Sequence, residues 1–181
     1  MTYPLSELLK MVVDEDRLVV TLHRLGVRYI VTEEGAEPYL DLPPALLIAA
    51  LIRSESPRVE YTVIPLLLRH PEFTAIAPDL AAALPPNEAD LLRRHYTAAV
   101  YLQRMYRPAL EIYLGPKPDL PDYFSAQLGL PSPDEYYGVI GLRELVARLP
   151  PPVDWWGSYL YPIRMLIRAL SLEKTYGWAD G

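Results

Sequence analysis

Apolar residues recur at helical spacing from the start of the chain. Leu5, Leu8, Leu9 and Val12 share one face of a helix expected over 4–13. Leu18, Val19, Leu22 and Leu25 share a face of a second, which Asp14 can cap and Gly26 can close. Further on, Leu92, Tyr96, Ala99, Tyr106, Leu110 and Tyr113 form one seam, and Leu91, Ala98, Leu102, Met105, Ala109 and Ile112 form another. A helix apolar along two seams packs on more than one side, so this one should be central to the fold. It should start at Asn87, with Glu88 and Asp90 in its first turn. Pro108 should kink or stop it, and Gly115 should close a last short piece. A short helix over 142–149 and a last one over 161–174 complete the pattern. The last is apolar at Ile163, Leu166, Ile167 and Leu170 and polar at Arg164, Arg168 and Ser171.

Between residues 42 and 73 the pattern changes to "LPPALLIAALIRSESPRVEYTVIPLLLRHPEF". Each greasy run is too short for a bilayer, which takes about 20 apolar residues. Arg53, Glu55, Arg58 and Glu60 sit between them, where membrane insertion would be costly. Pro44 suits the first turn of a helix, and Ser56 with Pro57 suits a restart. Val59, Tyr61 and Val63 alternate with polar residues as in a strand, yet Val59, Val63, Leu66 and Leu67 also share a helical face. Upstream, "VRYIVTEEGAEPYLDL" has the form of a small β-hairpin near residues 27–40. The fold expected is mainly α: one domain over 1–181, a helical bundle with that hairpin. The alternative is α+β, with strands 28–32 and 59–64. Residues 115–138 carry a Pro-rich run whose aromatic and leucine residues predict a packed loop, and 139–181 reads as a C-terminal helical extension.

Composition narrows the chemistry. The 181 residues carry a formal net charge of -6 and no cysteine, which excludes disulfides, thiolate nucleophiles and Cys-ligated metals. An acidic chain has no global attraction for nucleic acid. The start of the sequence lacks the basic and apolar regions of a signal peptide, so a cytoplasmic protein is expected. Twenty prolines and few amides fit a heat-adapted source, as they fit a GC-rich genome. None of His23, His70 and His95 lies in a metal-binding spacing, and phosphate-loop, dinucleotide and serine-hydrolase motifs are absent. The loop acids Asp119, Asp122, Asp134 and Glu135 have no calcium-loop spacing. No cofactor and no metal are expected.

Two constellations remain. Arg17 and His23, in "RLVVTLH", resemble the Arg–His signature of HEPN-type ribonucleases, which would use His as acid/base and Arg to hold phosphate. The central helix is the richer of the two. At 100° per residue Arg93, Arg104 and Arg107 fall within about 60° of one another. Arg94 lies beside them, and Tyr96, Tyr101 and Tyr106 interleave. Arg93, Arg94, Arg104, Arg107 and Tyr101 are therefore the candidate partner- or phosphate-binding set. They could face an acidic protein or stack on nucleic-acid bases.

The segment 42–73 together with "YTAAVYLQRMYRPAL" resembles a group of uncharacterised helical bacterial proteins encoded beside minimal nucleotidyltransferases of the toxin–antitoxin type. The resemblance covers residues 42–110 and carries no catalytic motif. It implies a partner or regulatory role in such an operon. "LHRLGVRYIVTEEGA" also looks like the opening of a nucleotidyltransferase domain, but "EEG" stands where that family has its glycine turn. No D-x-D metal pair stands at a matching place. The functional expectation is a non-enzymatic protein-interaction or regulatory subunit. Its alternatives are a nucleic-acid-binding regulator using the Arg/Tyr face, and a HEPN-like ribonuclease or degenerate nucleotidyltransferase.

Overall fold

A computed structural model describes residues 4–28, 42–149 and 155–177. Within them the chain is α-helical and contains no strand. Its helices are α1 (Leu5–Leu8), α2 (Glu15–Arg24), α3 (Pro44–Ile52), α4 (Pro57–Glu60), α5 (Val63–Arg69), α6 (Ala77–Ala83), α7 (Pro86–Leu114), α8 (Val139–Ala147) and α9 (Trp155–Tyr176). Short 3-10 segments precede α6 and α8. The mainly α expectation holds. The expected hairpin lies almost wholly outside the described residues; Val27 and Arg28, which are described, have no strand pairing.

The α+β alternative fails at its second strand, because 59–64 runs from the end of α4 through a turn at 61–62 into α5. Alternation pointed to a strand there, but Val59, Val63 and Ile64 are all buried. Residues 63–68 of α5 are buried all round, a pattern in which strand and helix cannot be told apart by periodicity. Among the described residues there is therefore no sheet of the kind a nucleotidyltransferase-like fold would need.

α7 is the axis of the bundle, and α3, α5, α6, α8 and α9 all pack on it. It begins one residue earlier than expected, at Pro86, whose missing N–H costs nothing in a first turn. Pro108 was expected to kink or stop it; the helix does not stop there and runs through to Leu114. Pro108 is exposed, so solvent is at hand for the Arg104 carbonyl that loses its donor. Gly115, at φ 70°, ends the helix. α2 follows the expected punctuation closely. The Asp14 carboxylate accepts from the Arg17 N–H at 2.9 Å. Gly26 stands at φ 80°, and the Val27 N–H reaches back to the Leu22 carbonyl at 2.8 Å, a Schellman closure. α1 is much shorter than the helix expected over 4–13, and Val12 is 96% exposed.

Candidate interaction surface

The Pro-rich segment after Gly115 lies against α7 and meets Arg104 and Arg107 with acids. Proline has no N–H but keeps its carbonyl, and α7 supplies the donors. The Tyr96 hydroxyl donates to the Pro121 carbonyl at 2.9 Å, and the Tyr101 hydroxyl to that of Pro131 at 2.8 Å. Gln103 Nε2 donates to the Pro118 carbonyl at 2.9 Å, while its Oε1 accepts from the Leu120 N–H at 2.7 Å. Leu120, Phe124 and Leu130 then bury their side chains in the core.

The segment also brings acids to the expected binding set. The Arg104 side chain is only 9% exposed and lies 3.5 Å from Asp119 and 3.3 Å from Asp134. Arg107 pairs with Asp119 at 2.6 Å, and Arg94 with Asp90 of its own helix at 2.6 Å. Arg93 turns toward the Ala81 carbonyl at 3.5 Å. Tyr101 is 0% exposed, so it is a core residue and touches no partner. The helical wheel groups Arg93, Arg104 and Arg107 by angle alone. It could not show that loop acids distant in sequence would meet Arg104 and Arg107.

Arg17 and His23 do not converge either. Both lie on α2, but six positions along a helix turn them about 120° apart. Arg17 is exposed and pairs with Asp14 at 3.1 Å.

Two features went unseen in the sequence. The first is a buried polar nest where α4, α7 and α9 meet. His95 is 1% exposed, and its Nε2 lies 2.7 Å from Glu60 Oε1. The rings of Tyr61 and Tyr159 pack on it with centroids at 4.7 and 5.8 Å. Nδ1 of His95 has no hydrogen-bond partner among the described residues and no exposure. A base sealed in this way reaches no substrate, so the nest acts as a tie between helices. Burial first, and then the Glu60 carboxylate, push the Tyr61 phenol well above its ordinary range. Burial first, and then Tyr61, do the same to Tyr159. Glu60→Ala should leave both ring nitrogens of His95 unpaired and cost about 1–3 kcal/mol. Urea denaturation followed by circular dichroism measures that loss, and an unchanged midpoint would refute the tie.

The second feature is an open groove of about 550 Å³ between the C-terminal halves of α7 and α9. Tyr106, Ala109 and Tyr113 line one wall, and Arg164, Ile167, Arg168, Ser171 and Leu172 line the other. Lys174 adds a third cation at one end, its Nζ 5.7 Å from the Tyr113 ring centre. Beside it on α7, Ile112 is 62% exposed. Arg164 and Arg168 make no ion pair or hydrogen bond among the described residues. The polar stripe of the last helix was legible in the sequence, but the tyrosines opposite it belong to a helix some sixty positions earlier and were brought there by packing.

No family model matches the chain, and no curated protein or solved structure matches it either. Among the described residues no group of three or more acidic or histidine side chains is placed to hold a metal, and no helix is long and apolar enough to cross a membrane.

Proposed function

We propose that the protein is a non-enzymatic interaction or regulatory subunit, and that it docks an acidic, apolar-edged helix of a partner protein in the groove between α7 and α9. The observation that carries this reading is the pair of guanidinium groups, Arg164 and Arg168, that have no partner among the described residues and lie beside an aromatic and aliphatic floor. Residues four apart on a helix stand about 5–6 Å apart, so carboxylates at the same spacing on an incoming helix match them. A second copy of this chain docked groove to groove about a two-fold axis would set these arginines against their own equivalents. Like charges oppose that arrangement and favour an acidic non-self partner. A role in a toxin–antitoxin or defence operon fits the resemblance of residues 42–110 to proteins encoded beside nucleotidyltransferases.

The test compares the wild type with Arg164→Glu/Arg168→Glu. Its probes are a labelled amphipathic Leu/Glu helical peptide and a labelled single-stranded RNA, each titrated at several salt concentrations. The peptide should bind the wild type, and the variant should bind it at least about tenfold more weakly, a loss of about 1.4 kcal/mol. Arg with Tyr also suits base stacking, the alternative function. RNA binding that exceeds peptide binding and falls steeply with salt would replace this reading with that one.

A further inference from the structure

Residues 134–138 leave the surface in an unusual conformation. Tyr136 stands at φ 47°, ψ 40° and Tyr137 at φ 55°, ψ 35°, followed by Gly138 at φ 79°. Left-handed backbone suits glycine, whereas a bulky side chain there is strained. Both tyrosines are nevertheless exposed, at 72% and 79%. Their rings pack on no other ring among the described residues, so burial does not explain the strain.

The turn is held at both ends. Asp134 pairs with Arg104 of α7 at 3.3 Å. Gly138 lies so close to α7 that a Cβ there would come within 2.7 Å of the Tyr101 carbonyl oxygen. A strained turn clamped against the central helix presents its side chains in a fixed pose, and strain of this kind gathers at functional sites. Rigid exposed tyrosines give contact area at little conformational cost. The adjoining acids set the sign of the partner. Asp134 is exposed, and the exposed Glu135 carboxylate has no partner among the described residues. Two aromatic faces beside carboxylates attract a cation through both ring and charge.

We propose that Tyr136 and Tyr137, with Asp134 and Glu135, form a second docking site that takes an arginine- or lysine-bearing segment of a partner protein. The site is independent of the α7/α9 groove, which selects the opposite charge. Glycine at 136 and 137 separates recognition from folding, because it removes the rings and relieves the backbone together.

The experiment measures binding of a labelled oligo-arginine peptide by fluorescence anisotropy, and the thermal midpoint of each protein. Wild type should bind saturably. Tyr136→Gly/Tyr137→Gly should bind at least tenfold more weakly although its net charge is unchanged, while its midpoint rises by about 2–4 °C for each residue relieved. Tyr136→Phe/Tyr137→Phe keeps the rings and should bind like wild type. Arg164→Glu/Arg168→Glu should also retain binding, apart from the general gain an added negative charge brings. Equal affinity of the glycine variant, absence of saturable binding to wild type, or a lower midpoint on glycine substitution would each overturn the proposal.

Discussion

Tyr101→Ala is expected to cost about 3–5 kcal/mol, Gly141→Ala about 1–3 kcal/mol, and the two together no more than Tyr101→Ala alone. The Tyr101 ring is fully buried, and its hydroxyl donates to the Pro131 carbonyl at 2.8 Å. It lies under α8 at a point where that helix has no side chain. A Cβ on Gly141 would stand 2.3 Å from the Tyr101 ring, too close for any tolerated contact. Added methyl and intact ring therefore compete for one volume, and α8 must lift or the ring must leave its rotamer. Removing the ring empties that volume, so the methyl ceases to clash. The result is a strong coupling between the two sites rather than additivity. Equilibrium urea unfolding of the wild type, both single variants and the double variant measures it. Additive losses would show that α8 does not rest on Tyr101. Tyr101→Phe isolates the hydrogen bond and should cost about 1 kcal/mol, since it leaves only the Pro131 carbonyl unpaired.

Raising the pH from 8 to 11 is expected to destabilise the fold by about 4 kcal/mol through Tyr96, Tyr101 and Tyr159 alone. Burial is the largest cause that pushes each of these phenols above its ordinary range, and nearby anionic or tyrosyl groups add to it. All three side chains are at most 1% exposed. The folded state holds the proton where the unfolded chain, with tyrosine near its usual pKa of about 10, releases it. Stability from these groups is thus complete below about pH 10 and is lost as the pH rises toward their folded values. At pH 11 ionisation lowers the unfolded state by about 1.4 kcal/mol for each tyrosine, and the sum is a large part of a typical domain stability of about 5–15 kcal/mol. Far-UV circular dichroism with urea at each pH gives the loss, and absorbance of tyrosinate follows the titration. Buried tyrosines that ionise near pH 10 in the folded protein, with no shift in the urea midpoint, would contradict it. The first contacts to yield should be those that strap the Pro-rich segment, because Tyr96 and Tyr101 donate to the Pro121 and Pro131 carbonyls.

The helices were legible in proportion to how local their signals are. Asp14 and Gly26 bracket α2 as their side chain and backbone preferences dictate, and the two seams of α7 marked it as central. Where burial is complete the signal failed, because residues 63–68 have no polar face to set a period. Pro108, where a kink or stop was expected, does not stop the helix: the rule against proline describes an isolated helix, and α7 is held on several sides by neighbours. α9 begins at Trp155 rather than near Tyr161, running through Pro162 in the same way.

The amino-acid sequence by itself determined the class of fold, the position of the long helix and the exclusion of cysteine chemistry. These follow from composition and from periodicities that act within a few turns. The pairing of the arginines was decided only by tertiary structure. Arg104 and Arg107 were set on one side of α7 by helical geometry, but Asp119 and Asp134 neutralise them after the chain has turned at Gly115. Arg164 and Arg168 looked no different along the chain, yet packing brings them against Tyr106 and Tyr113 with no acid among the described residues to meet them. Coulomb interaction acts over a few ångströms of space rather than over positions in sequence. Which arginines meet an acid within the described residues is accordingly a property of the folded bundle.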